Sequence, residues 1–331
     1  MPYPLVATAA DAAAILPLVA MLGSLARAAG GTRVVVLAVG LSHAEEATIR
    51  AHADRLGLSV ELIPFDPDRV ADTPLRSPHL SRAAYARLFL PDLLPDRKRV
   101  LWLDADTIVL SDLRPLWEVD LGGRLVAAVP DDFILGHELA ATGCRPGDYV
   151  NSGVMVMDLE AWRRSGAARR ALAMLADPTH NAEDQSIING ILRGEVHRLG
   201  RCWNFHVNRF HEYPRHLRPR APAIVHFCGQ AKPWREETPF RFVFRRFLPA
   251  EFRLERPRVR KSLLRRLDLA QRRVFGLMLG RPKHWRTVHR AVALRAAEWT
   301  LRLRLAGRYR ADDCPKTEPQ GAVPTPDRAP M

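Results

Sequence analysis

The chain has 331 residues, 47% of them apolar, and a formal net charge of +14. Such a composition excludes a disordered or fibrous protein and suffices for one large core or two small ones. Residues 251–310 carry 18 Lys or Arg against 4 Asp or Glu, the whole of the excess, so the first 250 residues require no polyanionic partner and nucleic acid is not an expected one.

Near the N-terminus the run Leu5 to Thr8 reads as a buried strand, and an uncharged stretch from Ala12 to Ala26 follows it. That stretch imitates the core of a signal peptide. No Lys or Arg precedes it, however, Asp11 opens it, Pro17 interrupts it, and it falls short of the roughly 20 residues that span a bilayer. Its apolar positions Ile15, Leu18, Val19, Leu22 and Leu25 have helical spacing, as in a helix packed on a sheet.

Strand-type runs at 33–39, 59–63 and 100–103 then alternate with helical patterns at His43 to Leu56 and Leu80 to Leu94. The alternation predicts an α/β fold with a largely parallel sheet. Further buried strands at 125–129, 154–157 and 223–227 extend that sheet over about 230 residues. Four widely spaced cysteines, Cys144, Cys202, Cys228 and Cys314, form no CxxC pair and point to a reducing compartment, the cytosol.

After about Pro249 the pattern changes to two basic helical stretches, Leu263 to Leu279 and Trp285 to Leu305. In the second, Trp285, Val288, Val292, Ala296, Trp299 and Leu303 mark an apolar stripe, with Arg286, Arg290, Arg295 and Arg302 off it. Basic helices with tryptophan on the apolar side suit an anionic membrane surface. The last twenty residues, with five prolines among polar neighbours, are expected to be disordered. Three regions result: 1–250, a basic helical segment at 251–310, and a tail at 311–331.

The segment VLWLDADTIVL carries the strongest chemical signal. A buried strand ends at Leu103 and delivers Asp104 and Asp106, which project to one side while the chain stays extended. Ligands of parallel α/β sheets sit beyond the carboxyl ends of the strands. Two carboxylates there suit Mn²⁺, or Mg²⁺, and the ion can hold a diphosphate. Asp-x-Asp also caps turns in unrelated proteins, so context decides. The context is AIVHFCGQAKPW, where a second strand ends at His226, an imidazole able to complete a Mn²⁺ site. Gly229 permits close approach to a phosphate, and Lys232 brings it a compact positive charge.

Taken together, YARL at 85–88, LWLDADTIV at 102–109, NSGVMVMDLEAWR at 151–163, EDQSIIN at 183–189 and HFCGQAKPW at 226–234 resemble glycosyltransferase family 8. The resemblance is to its bacterial lipopolysaccharide galactosyltransferases and glucosyltransferases, and runs in order over roughly the first 240 residues. It implies a type-A glycosyltransferase fold with residues 1–250 as the catalytic domain. It further implies a retaining hexosyltransferase that uses UDP-galactose or UDP-glucose and Mn²⁺ and acts on a glycan or glycolipid, the lipopolysaccharide core. The enzyme would be cytoplasmic, peripheral on the inner face of the cell membrane.

By the same resemblance Asp104, Asp106 and His226 are metal ligands, Gly229 and Lys232 contact the diphosphate, and Arg87 holds the donor. Asn151 and Asp184 match positions that bind donor-sugar hydroxyls, and Gln185 one beside the anomeric carbon. Asp131 matches an acidic position facing the acceptor, with Asp132 the alternative one residue on. The family usually carries an Asp-x-Asn-Tyr string after the first strand. Here Asp11 remains as a contact to base or ribose, but Ala13 and Ala14 stand where Asn and Tyr would be, so base stacking is lost. Gln185 is an amide and a poor nucleophile, which predicts attack by the acceptor on the face the leaving group vacates. The rival readings are a self-glucosylating transferase, which needs an acceptor among Tyr3, Tyr85, Tyr149, Tyr213 and Tyr309, a nucleic-acid-binding protein using the arginine-rich tail, and a catalytically dead sugar-binding module.

Overall fold

The computed structural model describes residues 3–70, 81–134, 136–176, 184–213, 221–252, 254 and 282–306. Its first half alternates β1 (Leu5–Ala10), α1 (Ile15–Ala28), β2 (Arg33–Val39), α2 (His43–Leu56), β3 (Ser59–Phe65), α3 (Leu90–Leu93), β4 (Arg99–Leu103), β5 (Thr107–Val109) and α4 (Arg114–Trp117). There follow β6 (Val126–Pro130), α5 (Gly136–Thr142), β7 (Val150–Asp158), α6 (Leu159–Ser165), α7 (Ala167–Ala176), α8 (Asp184–Leu192), β8 (His197–Arg198), β9 (Phe205–His206), β10 (Ile224–His226), α9 (Arg241–Phe247) and α10 (Pro282–Ala306).

Local signals place the early elements well. Helix α2 opens with a capping box in which Ser42 and Glu45 satisfy each other's backbone amides, and it ends at Gly57 in the left-handed conformation, φ 65°. The 80–94 stretch departs from expectation. It forms a 3₁₀ helix over Arg82–Phe89 that runs into α3, and residues 85–89 are all buried rather than one face of them. The reason is Arg87, which would mark the polar face but is drawn inward by Asp104 and Asp184.

Seven strands form the main sheet in the order β3-β2-β1-β4-β7-β6-β8, and β7 alone runs against its neighbours. Alternate residues of one strand enter opposite cores. Val35, Leu37 and Trp102 join the layer under α6, α7 and α8, while Val34, Val36 and Leu101 join the layer under α1 and α2. Burial on both faces explains why these strands read as continuous apolar runs. The chain winds outward through β1, β2 and β3 and returns to β4 on the other side of β1, so the strand order reverses between β1 and β4.

The run at 223–227 does not extend the main sheet. Strand β10 lies in a separate three-stranded sheet, β5-β10-β9, antiparallel to β5 and parallel to β9. The cause is a turn after β4 that diverts the chain out of the main sheet. A third core, built from Phe205, Phe227, Phe240 and Phe244, covers this small sheet and receives Leu301 and Leu305 of α10. The predicted stripe of α10 is not its packed face: Trp285, Val292, Trp299 and Leu303 are about half exposed or more. The helical pattern at Leu263 to Leu279 and the tail at 311–331 lie outside the described residues. No helix among the described residues is long and apolar enough to cross a membrane. Among the described residues Cys144 and Cys228 are free thiols.

Candidate active site

Strand β4 ends at Leu103 beside the order reversal, where the main sheet opens a crevice at its carboxyl edge. The next residues turn instead of staying extended, and the Thr107 amide donates to the Asp104 carbonyl at 3.1 Å. The turn still gathers both acids, because it feeds β5, whose Thr107 pairs with His226 of β10. That register sets the imidazole beside them.

His226 Nε2 lies 3.2 Å from Asp106 Oδ1 and 3.8 Å from Asp104 Oδ2. The second oxygen of each acid is held from behind. Asp104 Oδ1 accepts from Trp102 Nε1 at 2.8 Å and lies 2.9 Å from Arg87 Nη2. Asp106 Oδ2 accepts from Lys232 Nζ at 2.5 Å. Burial pushes the Asp106 carboxyl up, but the Lys232 ammonium and the His226 ring outweigh it and hold the group below the usual carboxylate range.

A chain of amides determines which His226 nitrogen faces the acids. Asp131 Oδ2 accepts from Gln185 Nε2 at 3.1 Å, and Gln185 Oε1 accepts from the Ser152 amide at 3.2 Å and from Asn151 Nδ2 at 2.9 Å. Asn151 Oδ1 accepts from the Gly153 amide at 3.0 Å and from Asn204 Nδ2 at 2.8 Å. Asn204 Oδ1 then faces His226 Nδ1 at 2.9 Å. A carboxylate only accepts and a backbone N–H only donates, so the orientation of every amide follows, and Nδ1 must carry the proton. In the neutral ring Nε2 has the lone pair. Three lone-pair atoms, Asp104 Oδ2, Asp106 Oδ1 and His226 Nε2, therefore face one another. Such an arrangement is relieved by a proton on Nε2 shared with Asp106 or by a metal cation between the three atoms, and two carboxylates with an imidazole suit Mn²⁺ or Mg²⁺. The residues fit a divalent ion.

These atoms line a cleft of about 310 Å³ together with Asp11, Arg87, Asn151, Asp184, Gln185, Gly229 and Lys232, while Asp131 lies outside its lining and joins through Gln185. Asp132 is locked into a buried bidentate pair with Arg201, at 2.7 Å for both contacts, so Asp131 is the acid against Gln185. Arg87 braces the floor: it pairs with Asp104 and Asp184, donates to the Ser152 carbonyl and hydroxyl at 2.7 and 2.9 Å, and stacks over Trp102. Asp11 accepts from the Ala14 amide at 3.0 Å, and Ala13 and Ala14 form an apolar wall of the cleft. Gly229 has φ 81°, a conformation glycine adopts without penalty.

Sequence reading missed Asn204, which sits in no motif, and Ser152 and Gly153, which lie inside the quoted NSG string. A Cβ on Gly153 would fall 2.3 Å from His226 Cε1, so only glycine lets β7 pass beneath the ring. His206 was also missed. Burial pushes its ring down to about 4, leaving it neutral near pH 7, and burial likewise pushes the Cys228 thiol up. Of the tyrosines a self-glucosylating enzyme would use, Tyr85, Tyr149 and Tyr213 are buried, Tyr3 is exposed, and Tyr309 lies outside the described residues.

A mostly parallel sheet carrying this carboxylate pair and imidazole at its crevice defines the protein as a type-A glycosyltransferase. The sequence profile of glycosyl transferase family 8 matches residues 6–238, and the chain belongs to that family. The galactosyltransferase LgtC, solved with donor and acceptor sugar analogues, superposes with a TM-score of 0.63 at 29% identity over 75% of this chain and 98% of that one. An active-site mutant of LgtC gives 0.66 at 28% identity. General stress protein A of Bacillus subtilis is 31% identical over 210 residues, 59% of this chain and 71% of that protein. The lipopolysaccharide 1,2-glucosyltransferase of Escherichia coli K12 is 30% identical over 167 residues, 46% of this chain, and the match spans about half of that enzyme, 49%.

Proposed function

We propose that this glycosyltransferase is a retaining, divalent-metal-dependent hexosyltransferase that moves galactose or glucose from UDP to a glycan acceptor, the lipopolysaccharide core. The observation that carries the reading is the convergence of Asp104 Oδ2, Asp106 Oδ1 and His226 Nε2, whose ligand atoms all lie within 4.8 Å of one another. Asp104, Asp106 and His226 would hold Mn²⁺ or Mg²⁺, and the ion when bound supplies charge to neutralise the departing diphosphate. Lys232 and Gly229 line the same cleft and serve the same leaving group. Asp11 and the wall of Ala13 and Ala14 receive the nucleoside; Asn151 and Asp184 position the donor sugar.

Gln185 has its carbonyl oxygen engaged by two donors and its nitrogen by Asp131, so it orients the sugar and the acceptor side rather than attacking. The acceptor hydroxyl attacks on the face from which the UDP phosphate leaves, the glycosidic bond to phosphate breaks, and a phosphate oxygen takes the proton. Trapping a glycosyl adduct on Gln185 or Asp184 by mass spectrometry would overturn this route. The catalytic domain spans 1–250, and the basic segment at 251–310 docks the enzyme on the inner, anionic face of the cell membrane through the exposed tryptophans of α10. The decisive test is a donor-hydrolysis screen of nucleotide sugars against Mn²⁺ and Mg²⁺. UDP-galactose or UDP-glucose turnover that needs the ion is expected, and hydrolysis indifferent to chelator would sink the reading.

A further inference from the structure

Strands β9 and β10 pair in parallel with His206 opposite His226, so both imidazoles occupy one face of the small sheet. Their ring centroids are 5.5 Å apart with planes at 84°. Cys228, two residues beyond His226, is a free thiol that lines the cleft. One nitrogen from each ring and the Cys228 sulfur all lie within 4.8 Å of one another. His206 is 2% exposed, and its Nε2 is buried with no hydrogen-bond partner. A buried imidazole nitrogen left without a partner is costly, and a cation that takes its lone pair removes the cost.

The two donor sets that meet at His226 differ in kind. Asp104 and Asp106 offer hard oxygens, whereas His206 and Cys228 offer an imidazole and a thiolate, the combination that selects Zn²⁺ over Mn²⁺. Because Nδ1 of His226 is committed to Asn204, Nε2 is the one lone pair the ring can give, and either cation must use it.

We infer that His206, His226 and Cys228 form a second, thiophilic cation site, and that Zn²⁺ bound there takes His226 away from Asp104 and Asp106. The site would therefore inhibit the reaction supported by Mn²⁺; this consequence, though not the site itself, rests on the metal reading above. On binding, the Cys228 S–H bond breaks, its proton leaves to water, a sulfur–zinc bond forms and no electron is transferred. Zn²⁺ held by these three protein ligands would take a water as its fourth.

The test titrates Co²⁺, as a spectroscopic stand-in for Zn²⁺, into the full chain and reads the thiolate-to-cobalt charge-transfer band. The band is expected in the native protein and in Asp104→Asn, and absent in Cys228→Ser, whose fold is checked by thermal unfolding. His206→Gln should weaken Co²⁺ binding by about 10-fold or more. In parallel, paramagnetic resonance of Mn²⁺ should show Zn²⁺ displacing Mn²⁺ from the native protein far more readily than from Cys228→Ser. Cobalt binding without a thiolate band, or equal displacement of Mn²⁺ in both proteins, would overturn the inference. A native protein that binds Co²⁺ through Cys228 but never binds Mn²⁺ would leave the thiophilic site standing and count against the proposed function alone.

Discussion

Asn204 is fully buried, and its two amide atoms join the imidazole of His226 to Asn151 and, through it, to Gln185 and Asp131. Its acceptor end holds the His226 tautomer, and its donor end holds Asn151 and, through it, Gln185. The two ends can be separated by mutation. Asn204→Leu removes both, and Mn²⁺ affinity measured by calorimetry should fall by about 10- to 100-fold. Asn204→Asp keeps the acceptor for Nδ1–H but loses the donor to Asn151, so metal affinity should largely survive while kcat drops; equal loss in both variants would show that Asn204 acts only in packing. Ala14 offers a second residue-level test. An aromatic ring stacked on a base contributes about 1 to 3 kcal/mol, so Ala14→Tyr should tighten the nucleotide by about 5-fold or more, read as a lower KM for donor.

Among the elements, β7 has the tightest constraint, because it passes directly beneath His226 at Gly153. Gly153→Ala must push the ring, or Asp104 beside it, out of place. Metal binding should be lost even where circular dichroism reports an intact fold, and a variant that binds Mn²⁺ normally would refute the geometry. Helix α10 divides into two faces with different roles. Leu301 and Leu305 enter the third core, Glu298 accepts from the Phe240 amide at 2.9 Å, and Arg246 donates to the Leu305 carbonyl. Leu301→Ala should cost about 2 to 5 kcal/mol of stability, measured by denaturant unfolding. Trp299, 64% exposed, buries little in the fold, so Trp285→Ser with Trp299→Ser should leave stability nearly unchanged. The same pair should reduce flotation with anionic liposomes; unchanged flotation would remove the membrane role of this face.

At the scale of the whole molecule, charge is segregated: the first 250 residues are close to neutral, and the tract at 251–310 holds the excess of +14. Anionic liposomes should recover the protein better than neutral ones, and raising the salt should abolish the difference within the range of Debye screening. Much of this organisation is legible in one dimension. The strand runs at 33–39 and 100–103, helix α2 and the chemistry of Asp104, Asp106 and His226 can all be read from residue order, since periodicity, caps and ligand types are local properties. Residue order could not disclose that β10 leaves the main sheet, that Asp-x-Asp turns, that Arg87 turns inward, or that Asn204 and His206 stand behind the site. Each depends on strand register and on partners distant in the chain: Thr107 opposite His226 brings the imidazole to the acids, and His206 opposite His226 creates the second cluster. The face of α10 that packs was likewise settled by contact with Phe240 and Phe244, because a helix with apolar residues on two sides satisfies the same pattern whichever side is buried.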